Sequence, residues 1–129
     1  MEEENKVWID KEGIINLKIT KPVFTEDDFD KMLARIIEMV ESVPVGKRKA
    51  LVDLTLEKVF TVGQRTRIRK KGVEALKENF KKLGLEKVAL FTGSVTVKVI
   101  MSFMVTAAGI DNVRVFGTKE EALNWLKEP

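Results

Sequence analysis

The chain contains neither cysteine nor histidine among its 129 residues. Without them there is no disulfide framework, no Cys/His zinc site, no Cys–His or Ser–His–Asp nucleophile system and no histidine pH switch. The lack of cysteine fits a reducing, intracellular setting. Long apolar runs are missing too. The most apolar stretch, Val95 to Ala108, carries Lys98 and falls short of the ~20 residues that a membrane span needs. The start, Met-Glu-Glu-Glu-Asn, is acidic and leads into no apolar segment, so no signal peptide is expected. Neither sign of charge dominates: the net value is +3, which names no partner. What is present is 44% hydrophobic and 33% charged residues, the balance of one soluble, cytoplasmic globular domain over residues 1–129.

Periodicity divides the chain into short elements. Val7 and Ile9, then Ile15, Leu17 and Ile19, alternate with other residues around Lys11-Glu12-Gly13, which predicts a β-hairpin over 6–20. Thr25 with Asp28 forms a capping box, and Phe29, Leu33, Ile36, Ile37 and Val40 follow at helical spacing up to Ser42, before Pro44. Lys49 to Leu54 and Lys87 to Thr92 are apolar on both faces, the mark of parallel strands covered by helices. Between them a second helix follows Thr61, with Gln64 completing another box, and closes at Gly84. Its apolar stripe is Ile68, Ala75, Leu76, Phe80 and Leu83. Residues 94–109 alternate like a strand over Thr96 to Val99. Ser94 as an N-cap, Gly109 as a C-terminal stop and the length between them decide for a helix. Val113 to Phe116 is a last strand, and Thr118 with Glu121 opens a helix carrying Ala122, Leu123, Trp125 and Leu126. The order β-β-α-β-α-β-α-β-α predicts an α/β layer with right-handed crossovers.

The segments KVWIDKEGIINLKI, TEDDF, KALVDL, KVALFTGS and VRVFGTKEEALNWL, spanning Lys6 to Lys127, resemble the SpoIIAA-like, or STAS-type, family, in particular its small stand-alone bacterial members. The resemblance implies a mixed five-stranded sheet, an N-terminal antiparallel hairpin followed by parallel β-α units, related to the CRAL-TRIO lipid-transfer fold. STAS members act as anti-sigma-factor antagonists, switched by phosphorylation of a serine at the start of the helix after the third strand. Here the corresponding stretch, Glu57 to Gly63, has no serine, so the phosphoswitch is not expected. Nor is the chain long enough for the large gate and pocket of the lipid carriers.

Ligands of open α/β sheets sit beyond the carboxyl ends of the strands. Those ends offer Asp53, Thr55, Thr92 and Ser94. Asp53 is a lone carboxylate, so general acid–base catalysis is not expected, and neither is a metal or cofactor site. Its expected role is to accept hydrogen bonds from loop amides or from Arg65 or Arg69, which fall on the apolar side of the second helix. The other arginine is then open to an anionic group. Thr61 and Ser94 are expected to be helix caps. The third helix is apolar nearly all round, which leaves two readings open: burial by neighbouring helices, or a homodimer or apolar-ligand contact through Met101, Met104 and Val105.

Charge is segregated. Residues 25–42 hold six acidic and two basic side chains, and residues 62–84 hold eight basic and two acidic ones. Arg67, Lys70, Lys71, Lys77 and Lys81 are expected to face solvent, a surface for an acidic protein partner. With no aromatic residue interleaved, specific nucleic-acid binding is not expected. The leading expectation is a non-enzymatic STAS-like regulatory or protein-interaction module that forms a homodimer; the alternative is a carrier of a small ligand, lipid or nucleotide.

Overall fold

The computed structural model describes residues 6–18, 25–55 and 62–128, and within α2 the side chains of Val62, Gln64 and Arg65 fall outside the description. Its elements run β1 (Lys6–Ile9), β2 (Ile15–Lys18), α1 (Glu26–Ser42), β3 (Lys49–Asp53), α2 (Val62–Asn79), β4 (Lys87–Phe91), α3 (Val95–Ala108), β5 (Val113–Phe116) and α4 (Lys119–Lys127). The expected order holds throughout, and 94–109 is helical. Thr61 and its cap lie outside the described residues, as does the end of the hairpin beyond Lys18.

Local chemistry explains most boundaries. The Asp10 carboxylate holds the β1–β2 turn by accepting from the Glu12 and Ile14 amides at 2.9 and 3.1 Å, and from Asn16 Nδ2 at 2.9 Å. Gly13 supplies the positive φ of +81° that the turn needs. At α1 the expected box forms in full: Asp28 N donates to Thr25 Oγ1 at 3.1 Å and Thr25 N to Asp28 Oδ2 at 2.9 Å. The helix stops at Val43, whose extended backbone (ψ 135°) is the one Pro44 requires of its predecessor. Regular α2 ends at Asn79, five residues short of the expected Gly84. A tighter turn continues to Gly84 (φ +65°), where Leu85 N donates to Phe80 O at 3.0 Å, a Schellman closure. Ser94 caps α3 by accepting from Val97 N, and Gly109 ends it at φ +69°. At α4 Thr118 accepts from Glu121 N as expected. The Glu121 carboxylate also accepts a hydrogen bond from the Thr118 hydroxyl at 3.0 Å, an additional contact within the cap.

The sheet order is β1-β2-β3-β4-β5, with β1–β2 antiparallel and every other pair parallel. Right-handed crossovers that step in one direction leave their helices on one face. Accordingly α1 packs over Val7 and Ile15, and α2 and α3 pack over Val88, Leu90 and Val113. On the opposite face α4 covers Leu51, Ala89 and Phe91 through Ala122, Trp125 and Leu126. The last carbonyls of α4 are taken by two strand lysines: Lys49 Nζ donates to Leu126 O at 2.7 Å, and Lys87 Nζ to Trp125 O at 2.9 Å.

Arg48 joins the C-terminal ends of two elements. Its Nε donates to Val43 O at 2.7 Å and its Nη1 to Leu83 O at 2.6 Å. Arg48→Ala leaves both carbonyls without this charged donor, so the loss expected in urea unfolding is about 2 kcal/mol.

Candidate functional site

At the carboxyl ends of the strands each expected residue serves its own loop. Asp53 Oδ1 accepts from Thr55 N at 2.8 Å and from Thr55 Oγ1 at 2.6 Å, the loop-amide role expected of it. Thr92 is buried, and its hydroxyl oxygen accepts from Ser94 N at 3.2 Å; Ser94 in turn caps α3. Asp53 pairs locally with Thr55, and Thr92 with Ser94. Among the described residues no group of three acidic side chains could hold a metal.

The concave feature lies elsewhere, under the sheet's three-helix face. α1 leans on β1 and β2 while α2 leans on α3, and the space between α1 and α2 stays open above β2, β3 and β4. The opening is an apolar cleft of about 140 Å³. Its walls are Phe29, Ile36 and Val40 from α1, Leu17 and Val52 from the sheet, and Leu76 from α2. Two lining side chains carry polar atoms, Arg69 and Asn79. Asn79 donates its amide to Ala75 O at 2.9 Å, within its own helix. Arg69 is half-buried, with its Nε out of solvent, and is engaged within the chain. It thus lines the cleft, one of the two arginines singled out from the sequence; the Arg65 side chain lies outside the described set.

A long ion pair joins α1 and α2. Lys71 Nζ lies 3.9 Å from Glu26 Oε2 and 5.7 Å from the centre of the Phe29 ring. At that length and exposure the ion pair contributes at most about 1 kcal/mol, so it does not lock α1 to α2. Lys71 is therefore half-buried, not solvent-facing as its helical position suggested; Arg67, Lys70, Lys77 and Lys81 are exposed as expected. The buried side of α2 also includes Val73, 7% exposed, which the expected stripe had omitted.

The expected contact residues of α3 divide. Met101 and Val105 are 3% and 4% exposed and belong to the core with Val73, Val88 and Val113, and Met104 is half-buried beside them. Neither Met101 nor Val105 is available to a partner. The reason is that the side of α3 that meets α2 and β5 is the Val97–Met101–Val105 stripe. Outward stand Val95, Val99 and Phe103, four residues apart and 78%, 63% and 74% exposed. Among the described residues no helix is long and apolar enough to cross a membrane.

Comparison with curated proteins and with solved structures returns no match. The SpoIIAA-like family model matches residues 14–127, from the turn before β2 to the end of α4. Together with a mixed sheet of one antiparallel pair followed by parallel β-α units, that match over most of the chain places it in a family: the protein belongs to the SpoIIAA-like family.

Proposed function

We propose that this SpoIIAA-like domain is a non-enzymatic binding module that holds a small apolar molecule between α1 and α2. The observation that carries the reading is the cleft itself, walled by core residues of both helices and the sheet yet not filled by them. An empty apolar cavity of roughly 150 Å³ admits a benzene-sized guest, so a cleft of about 140 Å³ suits some six buried carbons. The chain is too short for the large gate and pocket of the lipid carriers, and a cleft of this size needs neither. Family membership supports a STAS-type regulatory role, with the ligand as its signal. The stretch Glu57 to Gly63, free of serine, supports a signal other than the family's serine phosphorylation. Native mass spectrometry of the purified chain should show a bound small molecule. After its removal, benzene or 1-octanol should raise the melting temperature as a ligand of the native state does. No added mass together with no shift at saturation would end this reading.

A second reading rests on a different observation, the exposed stripe Val95–Val99–Phe103. Such a row suits a protein contact, and a homodimer through α3 is the form proposed here, with the exposed lysines of α2 left for an acidic partner. Phe103→Glu should then convert dimer to monomer in size-exclusion chromatography with light scattering. Wild-type protein that is monomeric at high concentration overturns the dimer.

A further inference from the structure

We infer that Gly72 is the specificity-determining residue of the cleft: the room left by its missing side chain admits an aromatic ring as well as a single hydrocarbon chain. The inference rests on the cleft-binding reading above and names the shape of guest that the cleft accepts.

α2 contributes Ile68, Arg69, Gly72, Ala75, Leu76 and Asn79 to the lining. At about 100° per residue these positions cover one side of the helix, roughly 120° wide, with Gly72 near its middle and Arg69 at one edge. A side chain at position 72 would therefore project into the cleft. A Cβ built there meets nothing within 4 Å.

Three ordinary reasons for a glycine are absent at this position. Its φ is not positive, so no left-handed turn requires it. No neighbouring atom comes close enough to exclude a methyl group, so tight helix packing does not require it either. α2 continues past it to Asn79, so it does not end the helix. Glycine in a helix interior is nonetheless less favourable than any residue but proline, because its backbone loses the most freedom on folding. What it provides here is open volume at the centre of the α2 wall. The facing wall of α1 is built from the large side chains Phe29, Ile36 and Val40. Width between the helices is thus set at Gly72. The surface of the cleft is almost entirely apolar, and Asn79 donates to Ala75 O, so shape and not hydrogen bonding sorts the guests. A ring is broader than a methylene chain and needs that width.

Isothermal titration of the full chain with benzene and with 1-octanol tests the assignment. The wild type is expected to bind both. Without a guest, Gly72→Ala should melt about 4 °C higher, since alanine suits the helix better. The same variant should bind benzene roughly tenfold more weakly, the effect of overpacking a tight site, and 1-octanol with little change. The gain in helix stability is common to the free and bound protein, so it does not enter the binding constants. Gly72→Leu should fill the cleft, remain folded and bind neither. Wild-type benzene affinity in Gly72→Ala, or an equal loss of both guests, overturns the role of Gly72 and spares the cleft. A lower melting temperature for Gly72→Ala also overturns it, because the added methyl then meets neighbouring atoms. Binding of neither guest by the wild type overturns the cleft reading and this inference with it.

Discussion

Val105→Asp is expected to leave the protein largely unfolded at 25 °C, whereas Phe103→Glu, two residues earlier in the same helix, shifts the stability of the monomer by no more than about 0.5 kcal/mol. Both substitutions put a carboxylate on α3. The difference lies in the surroundings. Val105 is 4% exposed in a cluster with Val73, Val88, Val97, Met101 and Val113, none of which can donate a hydrogen bond to a carboxylate from its side chain. A charge placed there must be protonated or must open the packing, and either course costs several kcal/mol. Total stabilities of small domains are about 5–15 kcal/mol, so the loss takes most of what is available. Phe103 is 74% exposed, and a carboxylate there stays hydrated. Far-ultraviolet circular dichroism and urea titration of the two variants would check the pair. A cooperatively folded Val105→Asp protein with wild-type midpoint would mean that α3 is turned the other way.

Trp125→Ala is expected to cost about 3–5 kcal/mol, the range for deleting a large buried aromatic. The ring is 8% exposed and does three things at once. It fills the interface between α4 and the sheet with Leu51, Ala89 and Phe91. It packs on Phe116 with centroids 5.7 Å apart. It also lies within 5.0 Å of Lys87 Nζ and 5.4 Å of the Arg114 guanidinium, so two cations lose their aromatic partner with it. Among the described helices α4 alone covers this face, and in the truncated protein nothing else fills the void. Lys87→Met is the useful comparison. It keeps the tryptophan and removes the charged donor to the Trp125 and Glu128 carbonyls, so a smaller loss, about 1–2 kcal/mol, is expected. A urea midpoint lowered equally by the two substitutions would show that capping, not packing, holds α4.

Element by element, the secondary structure of this chain was legible because its causes are local. Thr25 with Asp28, Ser94, Gly109 and Thr118 mark helix ends by side chains and backbone angles within four residues of the boundary. Two-sided apolar strands at Lys49–Asp53 and Lys87–Phe91 foretold a covered parallel sheet, and the capping residues outweighed the strand-like alternation of 96–99. Asn16 marks one limit of such reading. It is 4% exposed in the middle of β2, a place the pattern offers to an apolar side chain, and it is tolerated because Nδ2 donates to Asp10 and to Ile14 O.

Facing was legible only where a helix is amphipathic. α1 has one apolar side, and the sequence oriented it. α3 is apolar nearly all round, so its sequence contains no preference between the Met101–Val105 side and the Val95–Phe103 side. Contact with α2 and β5 made that choice. The cleft is further still from any local signal. It exists because α1 settles on β1 and β2 while α2 settles on α3, which leaves Gly72 facing a gap that neither helix fills. Hydrophobic spacing along a chain records that a residue will leave water. It does not record how far apart two helices come to rest, since that distance is a balance of packing contacts between segments tens of residues apart.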